Sequence, residues 1–210
     1  MKSTRMKALF GPPLKFDGRI VLITIVSTLL LMVDHYHQLT PVKEIDRTIL
    51  YLVSPLLIIA LVFRESPRDY GLTLGDWRVG LPLTLGAIVL LTPLIYFLAS
   101  RASSMTNYYA GNLQLLPWNT FLDLLGWEFL FRGWILFGYA RRFGPDALWL
   151  QAVPFALAHI GKPEVETLST IFGGFAFGWL AWRTRSFLYP FLIHWYIFTL
   201  TVIVASRTLA

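Results

Sequence analysis

Seven long apolar stretches, at 20–33, 48–63, 79–100, 115–140, 147–160, 167–182 and 187–206, leave this chain few ways to fold. A bilayer core takes about 20 apolar helical residues to cross. The apolar residues fall in blocks, not in short amphipathic runs. With 56% hydrophobic and 14% charged residues and a mean hydropathy of +0.59, the blocks predict one integral membrane domain over 1–210, an all-α multipass bundle of about seven spans. The stretches at 20–33 and 147–160 are short, so their polar flanks must snorkel or the membrane must thin. Pro55, Pro82, Pro93, Pro154 and Pro190 fall inside or at the edges of these stretches and predict kinks, because membrane helices tolerate proline better than soluble ones.

The net charge of +6 and pI near 9.7 would raise nucleic-acid binding in a soluble chain. Here the basic residues flank apolar blocks and read as topology signals, so the expected partners are the lipid bilayer and a substrate, with no nucleic acid. Lys2, Arg5, Lys7, Lys15 and Arg19 precede the first block with no small-residue cleavage site, which predicts a cytoplasmic segment over 1–19. Arg64, Arg68, Arg78, Arg141, Arg142, Arg183 and Arg185 then fall on that same side, and Lys43, Arg47, Arg101 and Lys162 on the other. The alternation predicts a carboxyl terminus outside, and a bacterial inner (cytoplasmic) membrane as the setting. With no cysteine, disulfides and thiolate metal sites are excluded.

Within the apolar run Trp127-Glu128-Phe129-Leu130-Phe131-Arg132-Gly133, a carboxylate and a guanidinium stand four residues apart. On a helix they share a face, acid before base as such pairs prefer. One ionised residue at the bilayer centre costs roughly 2.5–3.5 kcal/mol on insertion scales. Taken alone, the pair reads equally as glue between helices and as an active site. His159, ending Pro154-Phe155-Ala156-Leu157-Ala158-His159, and His194, in Leu192-Ile193-His194-Trp195, add two imidazoles on two further helices. A lone membrane histidine is more often an interhelical hydrogen bond, but one Glu and two His at interior depth on three helices make coincidence less credible.

Glu plus two His admits a divalent metal such as zinc with an open position for water. It equally admits a metal-free site in which the carboxylate takes a proton from water, one imidazole orients that water and another donates to the oxyanion. Spacing does not decide between them. Elsewhere the simpler readings prevail: Gly174 and Gly178 as a close-packing pair, Lys162, Glu164 and Glu166 as a solvated turn, and Asp34, His35 and His37 as an interfacial boundary.

From about Ser66 to His194 the chain resembles the CAAX protease and bacteriocin-processing (CPBP, or Abi) intramembrane endopeptidases. The resemblance rests on Pro67-Arg68-Asp69-Tyr70-Gly71-Leu72 with Gly75-Asp76-Trp77, on Phe131-Arg132-Gly133, on Phe155 to His159 as FxxxH, and on Gly178 to Ser186 leading to His194, in this order. It implies a peptidase acting on a membrane-associated or C-terminally tailed protein or peptide, with 115–206 as the catalytic helices. Glu128 would be the base, His159 would position water, His194 would stabilise the oxyanion or help protonate the leaving amine, and Arg132 would hold Glu128 charged. The glutamic-type members imply no cofactor and no metal.

Two departures stand out. The family commonly has two adjacent glutamates with three residues between the second and the arginine, and Trp127 occupies the first position. Carrying the base to Glu128 turns it about 100° around the helix. An Asn or Asp often follows the last histidine by four residues, where this chain has Phe198, which offers no hydrogen bond. Asp123 and Thr201, each one turn from a departure, are the substitutes to consider. The rival reading is a noncatalytic membrane scaffold or immunity protein. A small transporter ranks below both, because the charges cluster and trace no path across the bilayer.

Overall fold

A computed structural model describes residues 13–209. Every regular element among them is helical: α1 (Gly18–Tyr36), α2 (Lys43–Phe63), α3 (Trp77–Arg101), the short α4 (Ser103–Tyr109), α5 (118–143), α6 (Ala147–Leu157), α7 (Glu164–Thr184) and α8 (Leu188–Leu209). Apart from α4 these are the helices that the apolar stretches predict, and the chain is an all-α membrane helical bundle. Lys2, Arg5 and Lys7, which carry part of the orientation argument, lie outside the described residues.

Among the described residues four helices, α1, α2, α3 and α8, are long and apolar enough to cross a membrane. By contrast α6, with 11 residues, rises only about 16 Å, roughly half of a hydrocarbon core. It ends before the histidine expected on it, so His159 sits in the following turn. Gly161, in the left-handed region at φ 98°, and Pro163 stop the helix from continuing. Helix geometry persists through Pro82 and Pro93 in α3 and through Pro154 in α6.

α5 is the centre of the bundle. All of Phe129–Ile135 is buried, and this stretch winds as a wide π turn, a form that recurs at functional sites. Two further wide turns lie in α2, at Ile49–Val53 and Ile58–Phe63. α2 and α5 cross closely at Gly126, where a Cβ would stand 2.9 Å from the carbonyl oxygen of Arg47. The glycine pair in α7 packs as its spacing predicts: a Cβ on Gly174 would meet that of Ala152 in α6 at 3.0 Å.

Charges sort to two ends. At one, Glu65 accepts from Arg19 at 2.6 and 2.8 Å, from Arg141 at 2.5 Å and from the Tyr70 hydroxyl at 2.9 Å, while Arg183 meets Asp76 at 3.2 Å. The Arg19 hydrogen bonds, helped by Arg141 and Tyr70, hold the Glu65 carboxyl down at about 2. Basic residues assigned to one side by the alternation rule therefore do share one end. The other end holds a large cavity, to which Lys43, Arg47 and Lys162 contribute.

Candidate active site

Glu128 and Arg132 are fully buried, and the guanidinium Nη1 lies 3.3 Å from Glu128 Oε1. The expected pairing along the helix thus survives the wide turn. The same Oε1 stands 2.6 Å from Nδ1 of His194 on α8. A carboxylate only accepts, so His194 Nδ1–H donates to it, and Nε2 is left with its lone pair. Arg132 stacks over the Phe155 ring at 3.9 Å. Its Nε and Nη2, like Glu128 Oε2, are buried with no hydrogen-bond partner. The arginine is thus held by one weak charge-assisted bond and by aromatic faces, a cation–π arrangement that desolvation strengthens.

Gly133 in the Phe131-Arg132-Gly133 motif has a packing reason. A Cβ there would lie 2.7 Å from the Phe129 ring and 3.0 Å from the carbonyl oxygen of Tyr70. Glycine at this point lets the 67–70 turn rest against α5.

His159 is brought near the cluster but not into it. Its Nδ1 lies 2.7 Å from the carbonyl oxygen of Phe155 and so donates, leaving Nε2 as an acceptor. Its ring packs on Phe155 at 4.5 Å and on Trp127 at 5.8 Å, and it makes no hydrogen bond with Glu128 or His194. Among the described residues no three His, Asp or Glu side chains converge as metal ligands, so the zinc alternative lacks a formed ligand set.

A cavity of about 920 Å³ opens beside this cluster. His194 borders it and Glu128, Arg132 and His159 do not. Trp127 borders it as well, so the position one residue before Glu128 looks into the cavity and carries an indole. Deeper in the wall lies a network that sequence reasoning missed. Arg47 donates to both Asp123 oxygens at 3.1 Å and to Asp34 at 3.2 and 3.4 Å, while Lys43 also pairs with Asp34 at 2.8 Å. Arg47 further faces the Trp127 ring at 5.5 Å. Asp34 therefore belongs to an ion-pair network and not to a boundary cluster with His35 and His37. Arg47 and Asp123 are 76 positions apart, so no local pattern announces them.

The remaining candidates find simpler partners. Thr201 donates to the Ile197 carbonyl at 2.8 Å and is 3% exposed, so its hydroxyl does not replace the amide missing at Phe198. Phe198 packs on Tyr109 at 5.5 Å. Glu166 is less solvated than a free turn would make it, accepting from Lys162 at 3.0 Å and from the Tyr109 hydroxyl at 2.6 Å.

Residues 109–200 match the family model described as type II CAAX prenyl endopeptidase Rce1-like. This segment, somewhat under half of the chain, is similar to the CAAX prenyl endopeptidases that the model describes. The match covers α5 through most of α8, with Glu128, Arg132, His159, His194 and the cavity-lining Trp127 inside it. The apolar helices place the chain among integral membrane proteins, the setting in which an intramembrane endopeptidase acts. None of the curated proteins and none of the solved structures matches the chain.

Proposed function

We propose that this chain hydrolyses a peptide bond of a membrane-associated or C-terminally tailed protein, with Glu128 and His194 acting as one proton-transfer unit. The observation that carries this reading is the 2.6 Å contact between a fully buried carboxylate and the histidine that borders the cavity. Sequence reasoning gives the base to Glu128. The contact favours a division of labour instead. Glu128 holds His194 in the tautomer that offers Nε2, and it stabilises the imidazolium once a proton arrives.

In this reading a water in the cavity gives one proton to His194 Nε2 as its oxygen bonds to the scissile carbonyl carbon. The carbonyl π pair moves onto oxygen. Collapse of the tetrahedral intermediate breaks the C–N bond, and His194 returns the proton to the leaving amine. His159 does not border the cavity, but its Nε2 accepts a hydrogen bond and donates none, so holding a water that enters from the cavity suits it better than holding the oxyanion. Arg132 pairs with Glu128 and fixes its position.

The rival, a noncatalytic scaffold, draws on Trp127 filling the wall and on the burial of Glu128 behind His194. One experiment separates the two. Membrane proteomes from cells with wild type and with Glu128→Gln would be compared for C-terminal truncation, and any affected protein then offered to purified enzyme, with and without a strong chelator. Cleavage lost in the variant supports the peptidase; no cleavage by wild type, with a cellular phenotype that survives the substitution, supports the scaffold. Inactivation by chelator that added zinc reverses would assign the water to a metal instead.

The basic end, gathering Arg19, Arg68, Arg141, Arg183 and Arg185, supports a cytoplasmic amino terminus in a bacterial inner membrane. A reporter fused between Arg101 and Leu115 should then be active outside, and one fused after Arg142 inactive. The inverse pattern defeats this orientation.

A further inference from the structure

At the end opposite the cavity lies a smaller pocket of about 350 Å³ that the proposed proteolysis does not use. It is lined by Arg68, Asp69, Gly71, Phe137, Arg141 and Arg185. Three cations face one anion. Arg141 shares Glu65 with Arg19, whereas Arg68 and Arg185 have no acidic partner among the described residues, and Asp69 forms no ion pair there. Two guanidinium groups that line one pocket without acidic partners gain from an anion placed between them.

The frame around them is built. Phe187 N–H donates to Gly71 O at 3.2 Å, Asp76 N–H donates to Thr184 O at 2.8 Å, and Ser186 Oγ donates to Thr73 O, clamping 71–76 onto 184–187. Gly71, at φ 79°, lets Phe137 form the apolar floor; a Cβ would stand 2.6 Å from that ring.

A second, independent observation concerns Arg185. It stands directly after α7 in the left-handed region at φ 58°, where glycine is the usual residue and a Cβ is a cost. Arg185 is exposed, and its guanidinium lies over the Trp182 ring at 5.7 Å. The backbone thus accepts strain at a position where the arginine has no acidic partner among the described residues. Such a residue is explained by a ligand. Arginine's planar fork suits phosphate oxygens. The pocket also lies where the apolar helix α2 ends and α3 and α8 begin, the end of a span at which headgroups are met.

We propose that this pocket binds the phosphate of an anionic phospholipid headgroup, with Arg185 and Arg68 as its ligands, Arg141 flanking and Phe137 beneath.

The test uses the full chain in nanodiscs of phosphatidylcholine containing a small fraction of phosphatidylglycerol, with retained lipid read by native mass spectrometry. Arg185→Gly is the decisive variant, because it relieves the backbone and should fold at least as well as wild type. It should weaken retention of phosphatidylglycerol roughly tenfold, the scale of one charged hydrogen bond. Arg68→Ser should do the same, while Arg78→Ser, outside the pocket, should not. Melting in pure phosphatidylcholine reports folding separately. Undiminished retention in both pocket variants overturns the proposal. Millimolar inorganic phosphate in pure phosphatidylcholine distinguishes the sources: no phosphate uptake supports the headgroup, whereas uptake abolished by both substitutions keeps the arginine site and overturns the lipid.

Discussion

Two acid–base clusters lie on neighbouring turns of α5 and have opposite designs. Glu128, Arg132 and His194 are closed: the carboxylate and guanidinium have no exposure, and three of their polar atoms have no partner. Asp123, Arg47 and Asp34 are open: they line the cavity, and Arg47 donates to both acids. Fully paired charges at a wet wall are close to their lowest energy and have little reason to react. Buried groups with spare donors and acceptors hold unspent capacity, and desolvation raises the worth of whatever completes them. The comparison assigns chemistry to the closed cluster and framework to the open one.

The largest expected effect breaks this assignment directly. Glu128→Gln keeps the shape but cannot stabilise a charged His194, so turnover of a natural substrate should fall about 100-fold or more. His194→Ala should fall similarly, and the double variant should be little worse than either, since residues acting as a unit are not additive. Asp123→Asn should retain most activity. The roles of the two clusters are reversed if Asp123→Asn inactivates the purified protein while Glu128→Gln cleaves at the wild-type rate.

Next in size is a difference in stability. Arg132→Leu leaves a buried carboxylate without its cation, a change that costs about 3–5 kcal/mol when a buried pair is broken. Arg47→Met removes a cation from the cavity wall, where Asp34 keeps Lys43 as a partner at 2.8 Å and Asp123 is partly exposed. Its cost should stay nearer the scale of exposed pairs, about 1 kcal/mol, although some cation–π contact with Trp127 is also lost. Denaturation in the same detergent should therefore rank Arg132→Leu well below Arg47→Met. Equal losses would mean that the cavity wall is as dry as the interior.

The two clusters also differ in how far sequence reveals them. Glu128 and Arg132 are one helical turn apart, so their meeting follows from local geometry, and the price of charge in lipid marks them as purposeful. The helices themselves were legible for the same reason, because a run of apolar residues longer than a turn dictates its own backbone hydrogen bonding. Arg47 and Asp123 meet only because Gly126 lets α2 and α5 approach, which no spacing encodes. His159 was misplaced onto a helix because the end of α6 is set by Gly161 and Pro163 beyond an unbroken apolar run. The facing of Trp127 and Glu128 depends on the wide turn at Phe129–Ile135, and no composition signal marks that turn.

The smallest expected effect lies at the basic end and tests whether paired, partly exposed charges behave there as at the cavity wall. Glu65 is 20% exposed and its carboxyl is held at about 2, chiefly by Arg19 and then by Arg141 and Tyr70. A group whose folded value lies below its unfolded one, here an ordinary 4.5, contributes stability at pH above that ordinary value. The contribution is lost as pH falls from about 4.5 toward about 2. Glu65→Gln should therefore lower the melting temperature modestly at pH 7, and the gap from wild type should shrink across that acid window. Salt should narrow the gap at pH 7 too, since partly exposed pairs are screened. A gap that persists unchanged down to pH 2 would mean that Glu65 acts through its packing and hydrogen-bond shape and not through its charge. The cavity wall, with its similarly exposed Asp123, would then have to be reconsidered on the same terms.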